Sequence, residues 1–223
     1  MIDYLPFLPD PPEECRDPTL FRLLSEFHFV RWHPECATRR DELQRENFAE
    51  AILRRAEAAT ADPYERLRFY CGELLIWARR NDAAAFTLML LEDTSEHVRG
   101  GIAQILSHLP DERYLDPLVR HARSDVSPFV RGCAAIGLGG QDPLAAIPVL
   151  LELLDNDHEE HGTTGHTPSG CAARALDELM QTEWTQKRLG ETLRSPNPAG
   201  TDLASLKQQA LAYLQHCRQA RGI

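Results

Sequence analysis

Residues 157–170, DHEEHGTTGHTPSG, place three histidines (His158, His161, His166) and three acids (Asp157, Glu159, Glu160) within fourteen positions. Imidazoles and carboxylates at this density are the donor types of a metal site, and a catalytic zinc needs three such ligands and an open position. The spacing fits no established ligand motif. Gly162, Gly165 and two threonines predict a flexible loop, with no fixed outer partner to orient the imidazoles. His158, His161 and His166 are therefore the metal candidates of an alternative reading, a metal- or cofactor-dependent enzyme using the 157–170 loop. The primary reading expects no metal and no cofactor.

Other chemistry is sparse. The six cysteines (15, 36, 71, 133, 171, 217) contain no CxxC pair, which argues against a zinc ribbon or a disulfide framework. Cys71, Cys133 and Cys171 sit among small apolar residues, where a free cysteine behaves as a core hydrophobe. GxSxG and P-loop signatures are absent. Trp77, in LLIWARR, reads as a core residue.

Composition and charge bound the class of partner. The chain has 223 residues, 43% of them hydrophobic, as in an ordinary globular protein. It contains no apolar run long enough to span a bilayer, and its opening, MIDYLPFLPDPPEE, has no basic leader segment, so a cytoplasmic protein with no membrane partner is expected. The net charge of -10 is uneven: residues 125–186 hold ten acids against two Lys or Arg, whereas 187–223 hold two acids against six. A field of that sign repels a phosphate backbone and attracts cations, so the expected partner is a protein with a basic surface and not a nucleic acid. Arginine outnumbers lysine 22 to 2, which points to a GC-rich bacterial genome.

The elements that must position these residues repeat. DPYERLRFYCGELL begins at 62, DTSEHVRGGIAQIL at 93 and DVSPFVRGCAAIGL at 125; each has an Asp followed six residues later by an Arg preceded by an aliphatic. A fourth, degenerate copy, TPSGCAARALDEL, begins at 167 and carries Ser169 where the Arg would be. Periods of this length mark solenoids, whose units cannot bury their apolar faces alone. Within the copies the apolar spacing is helical, as in Val98, Ile102, Leu106 and Leu109, or Leu144, Ile147, Leu150, Leu151 and Leu154. Asp62-Pro63, Ser127-Pro128, Asp142-Pro143 and Thr167-Pro168 predict helix starts, and Gly139-Gly140 a helix reversal.

These two-helix units, the Asp and aliphatic-Arg pattern and the run AAIGLGGQDPLAAIPVLLELL resemble HEAT repeats, particularly short bacterial ones. The resemblance covers 62–156 most fully, thins over 157–194 and is absent from the first sixty residues. It implies an all-α, HEAT-like α-α superhelix, a solenoid of antiparallel helix pairs. It also implies that Asp62, Arg68, Asp93, Arg99, Asp125 and Arg131 are structural rungs of a ladder. HEAT-like enzymes are a poorer match: deoxyhypusine hydroxylases use several His-Glu pairs, and only His158-Glu159 is present here. Alkylpurine DNA glycosylases use a basic groove with aromatic residues; Trp32, Trp77 and Trp184 are present, but the charge is of the wrong sign. Phycobilin lyases share only the scaffold.

The expected organisation is one domain. Residues 1–61 form an extended segment and capping helices (18–32 and 37–60, the latter with Phe48, Ile52, Ala51 and Ala56 inward), and 62–194 form repeats 62–92, 93–124, 125–156 and a degenerate 157–194 with a loop insertion. A C-terminal capping helix over 195–223 follows, with Leu203, Leu206, Ala210, Leu214 and Cys217 as its stripe. The expected function is a non-catalytic protein-binding module, in sharper form a bacterial immunity or antitoxin-like protein masking a basic toxin. The expected contacts are Glu152, Asp155, Asp157, Glu159 and Glu160, with Arg120 and Arg123 on the neighbouring second helix.

Overall fold

Each repeat starts with the same local event. Asp62, Asp93 and Asp125 turn a carboxylate oxygen onto the backbone N–H two residues ahead, at Tyr64 (2.9 Å), Ser95 (2.8 Å) and Ser127 (2.9 Å). Each helix then begins three residues after its Asp: α3 (Glu65–Trp77), α5 (Glu96–Ile105) and α7 (Pro128–Leu138). The computed structural model describes residues 8–31, 36, 38–39, 41–43, 50–78, 83–163, 165–181 and 200–223, and among these all regular structure is helical. The remaining helices are α1 (Pro18–Arg31), α2 (Glu50–Ala59), α4 (Ala83–Leu91), α6 (Glu112–Ser124), α8 (Pro143–Asn156), α9 (Pro168–Met180) and α10 (Gly200–Ala220). Phe48, Trp32, Trp184 and residues 182–194 of the fourth repeat lie outside the described residues. No helix among the described residues is long and apolar enough to cross a membrane.

Two of the four expected helix starts follow the simple rule. Asp142 caps Leu144 N–H at 3.0 Å and Thr167 caps Gly170 N–H at 3.0 Å, each before a proline in the first turn. Ser127 stands at the N-cap without a side-chain cap bond, and Tyr64, not Asp62, is the N-cap of α3. In both cases the repeat's Asp satisfies the N–H of the N-cap residue, so the cap residue itself is released from that task.

The chain divides into two compact units, residues 1–98 and 99–223. In the first, α1 and α2 pack on α3, and α3 packs on α4. Phe21, Leu24, Phe27, Leu67, Cys71, Leu74 and Leu75 are buried at their centre. Buried Glu73 ties α3 to α1 through Arg31 (2.8 Å) and His28 (2.7 Å), and the Arg31 guanidinium lies 4.4 Å over Trp77. Just before α1, Cys15 is buried and Arg16 N–H donates to Asp62 at 3.1 Å.

In the second unit α7 packs between α6 and α9, α8 packs on α6 and α9, and α10 packs on α8 and α9. With neighbours on more than one side, α8 buries Ala146, Ile147, Val149, Leu150, Leu153 and Leu154, a wider face than a single stripe. Gly139 and Gly140 lie between α7 and α8, but Gly139 keeps an ordinary right-handed backbone (φ -59°). Gly140 is required by approach: a side-chain carbon there would stand 1.8 Å from the Ser107 carbonyl oxygen. Buried Gln141 completes the seam, donating to Leu106 O at 2.9 Å and accepting from Asp111 N–H at 3.1 Å.

Each repeat's Arg reaches the Asp of the next. Arg68 grips Asp93 through Nε (2.7 Å) and Nη2 (2.7 Å), Arg99 grips Asp125 (2.9 and 2.9 Å), and Arg131 grips Asp157 (2.5 and 3.1 Å). Arg68 and Arg131 also donate to the backbone carbonyl of their own repeat's Asp, at 2.8 and 2.9 Å. Among the described residues no Arg side chain of a preceding unit bonds Asp62; Arg16 N–H donates to it instead. Burial alone pushes the Asp125 carboxyl up; hydrogen bonds from Arg99, Ser127 N–H and His121 outweigh it and hold the carboxyl below its ordinary value.

Arg99→Ala leaves Asp125 buried and short of its cation, a change worth about 3 kcal/mol; a thermal melt followed by circular dichroism should shift down by roughly 5–10 °C. The sign with pH follows from the lowered carboxyl. The pair stabilises above the ordinary aspartate pKa of about 3.9 and its contribution fades as pH falls further, so the gap between wild type and variant should narrow in acid. An unchanged melt at neutral pH refutes the ladder as a structural device. Gly140→Ala should cost about 1–3 kcal/mol through overpacking, and the same melt checks it.

Candidate functional site

α8 positions the first acids. Its buried aliphatics leave Glu152 and Asp155 pointing outward, with side chains 49% and 47% exposed. Asp157 caps the end of α8 as the last rung, bonded to Arg131, and Glu159 follows, 63% exposed and also bonded to Arg131 at 2.6 Å. Glu160 is exposed. On α6, Arg123 reaches Glu152 with Nε at 3.0 Å and Nη2 at 2.8 Å; Arg120 is exposed one turn earlier.

Between the C-terminal ends of α6 and α8 lies an open groove of about 430 Å³, lined by Arg123, Ser124, Asp125, Arg131, Glu152, Leu153, Asn156 and Asp157. Of the seven residues expected at the contact surface, it brings together Arg123, Glu152 and Asp157, beside the rung residues Asp125 and Arg131. Arg120, Asp155, Glu159 and Glu160 are not part of its lining. The negative ends of the two helix dipoles reinforce the acids here. Arg131, held by Asp157 and Glu159, has its guanidinium pKa raised further, first by the Asp157 hydrogen bond, so it is a fixed positive charge.

The histidines diverge. His161 is buried, its ring 5.3 Å from that of Phe129. His158 is exposed, with Nε2 3.2 Å from the Asp155 carbonyl, and His166 is exposed. Among the described residues no three His, Cys, Asp or Glu side chains are grouped to hold a metal ion. The flexible loop expected from the glycines and threonines is instead anchored. Its entry is fixed by Arg131 and its middle by His161 on Phe129. Its return is fixed by backbone bonds from His161 N–H to His166 O (3.0 Å) and from Gly165 N–H to His161 O (2.8 Å). Gly165 adopts φ +67°, the left-handed backbone that glycine accepts without strain.

Cys71, Cys133 and Cys171 are not tuned for nucleophilic work. Burial pushes Cys71 and Cys133 well up and Cys171 up to about 11, the opposite of the lowered value that a reactive thiolate needs.

Sequence reasoning missed the partners of this acidic stretch within the chain. Lys207 on α10 bonds Asp155, and Arg221, just beyond α10, bonds Asp142 through both terminal nitrogens (2.8 and 3.0 Å). The Arg221 hydrogen bond holds the Asp142 carboxyl below its ordinary value. The signal was present in the opposed charges of residues 125–186 and 187–223.

Comparison with known proteins agrees with this architecture. Residues 52–139 match the family model described as HEAT repeats. No curated protein matches the chain.

If His161 anchors the loop, His161→Ala should free the amides of His161 and Gly165 to exchange with solvent deuterium at least tenfold faster, while Asp157 and Ser169 N–H, bonded to Leu153 O and Asp157 O, stay protected. Equal protection in the variant means the ring is not the anchor.

Proposed function

We propose that this chain, assigned to the HEAT-repeat family by residues 52–139, is a non-catalytic module that docks a protein with a basic surface on the exposed acids Glu152, Asp155, Glu159 and Glu160. HEAT repeats typically mediate contacts between proteins, and fold alone does not choose the ligand. The observation that carries the choice is the run of outward-facing carboxylates along the end of α8 and into the following loop, in a stretch where Lys and Arg are nearly absent. Arg123 and Arg120 flank this run and give it a basic border, so a partner must match both signs to seat in one register.

In its sharper form the partner is a basic toxin, and the chain is an immunity or antitoxin-like protein that masks it. An acidic surface suits that task, because long-range attraction speeds capture of a basic protein. Asp157 takes a different role from its acidic neighbours. Its carboxylate is mostly buried and takes two bonds from Arg131 in the ladder, whereas Glu159 takes one and stays 63% exposed, so Asp157 supports the surface.

Affinity capture from the source organism at low salt should yield a stoichiometric basic protein that is lost as salt rises. With that partner purified, the charge reversal E152K/D155K/E159K/E160K should slow association in low salt by about tenfold or more. A partner that binds the reversed variant at the wild-type rate removes the acidic surface from consideration.

A further inference from the structure

Two acids at the ends of α8 hold cations supplied by the C-terminal segment, as Glu152 holds Arg123 of α6. Asp142 and Asp155 stand 13 residues apart, one at each end of α8; Lys207 and Arg221 stand 14 apart along α10 and just past it. At 1.5 Å per residue both separations are about 20 Å. Lys207 meets Asp155 at the C-terminal end of α8, and Arg221 meets Asp142 at its N-cap, so α10 runs antiparallel to α8 with an ion pair at each end. Leu206, next to the first pair, and Ala210 and Leu214, between the two, are buried where α10 packs on α8 and α9.

The two kinds of contact differ in how easily they part. The apolar seam is dry and holds the helix. The ion pairs are in water, with side chains 34% and 47% exposed at Lys207 and Asp155 and 54% and 40% exposed at Arg221 and Asp142. Exposed pairs of flexible side chains are weak and exchange readily. A cation arriving from outside therefore meets a site occupied by a displaceable one.

We propose that Lys207 and Arg221 act as intramolecular competitors for the acidic edge of α8, released when a basic partner takes Asp155 and Asp142 from them while α10 stays seated on its apolar stripe. This rests on the acidic docking surface proposed above and adds to it the kind of partner that fits. That partner is a segment presenting two cationic side chains about 20 Å apart, the spacing that α10 itself presents. A cationic surface too weak to displace Lys207 and Arg221 is excluded, so the cover raises selectivity at a cost in affinity.

The test uses the full chain and poly-L-arginine as the probe, with binding followed by fluorescence anisotropy in low salt. K207Q/R221Q should bind about tenfold tighter than wild type, and adding D142N/D155N to it should abolish the gain. R113Q/R218Q removes the same formal charge from other exposed positions and should gain far less; an equal gain there overturns the competitor role. Unchanged binding by K207Q/R221Q, alongside weakened binding by E152K/D155K/E159K/E160K, also overturns the competitor and leaves the docking surface standing. If neither changes, both fail. K207R/R221K, which keeps both charges, should behave as wild type, and a thermal melt confirms that each variant is folded.

Discussion

A carboxylate that is needed in two places at once sets the spacing of these repeats. The same Asp that accepts the N–H before its own helix also accepts the guanidinium of the preceding repeat, as Asp93 does with Ser95 and Arg68 and Asp125 with Ser127 and Arg99. Apolar burial between helices is strong but undirected, because any shift that keeps aliphatics in contact costs little. The paired Arg and Asp are directed. Each Arg has two donors on one carboxylate, so a slip of one turn leaves a charge in a dry seam without its partner. We read the ladder as fixing register, with the apolar seams supplying most of the stability.

The same accounting of charge changes how the acidic segment is understood. Counted along the chain, residues 125–186 carry a large excess of acids. In the folded unit Asp125, Asp157 and Glu159 are matched by ladder arginines, Glu152 by Arg123, and Asp142 and Asp155 by Arg221 and Lys207. The pairs differ in burial, and that difference assigns their roles. Arg99 with Asp125 is nearly dry and belongs to the scaffold; Glu152, Asp155 and Glu159 are open to water and can exchange one cation for another.

Much of this was legible in the chain. The 3,4 spacing marked the helices, because it follows from local geometry that repeats; the Asp and Arg six residues apart were visible in the chain, but the pairing of each Arg with an Asp 25 or 26 positions on was implied only by the resemblance to HEAT repeats. What was not legible depends on contacts between distant segments. Gly139-Gly140 looked like a reversal needing glycine's backbone freedom, whereas Gly140 answers to the Ser107 carbonyl, thirty-three positions away. His161 stood as a metal candidate only in the alternative reading, within a loop expected to be flexible, whereas its ring is buried beside Phe129. Asp155 looked unpartnered until α10 folded back onto α8.

The place of the insertion follows from where the ladder stops. The copies start 31 and 32 residues apart, and a copy whose Arg must reach the next Asp can change that spacing only slightly and keep the pair. Ser169 replaces the next Arg; its hydroxyl donates to Leu154 O at 3.1 Å and its N–H to Asp157 O at 2.8 Å, short bonds that reach back to α8 and its cap. The Arg131–Asp157 pair is closed before the loop begins, so the segment from Asp157 to Thr167 can lengthen without disturbing it while both its ends stay fixed. The additional residues of the loop are accommodated there, and the last arginine of the ladder, Arg131, has a second terminal contact to give to Glu159. The surface proposed for partner docking thus arises just past the Arg131–Asp157 rung, where the loop separates Asp157 from the start of α9.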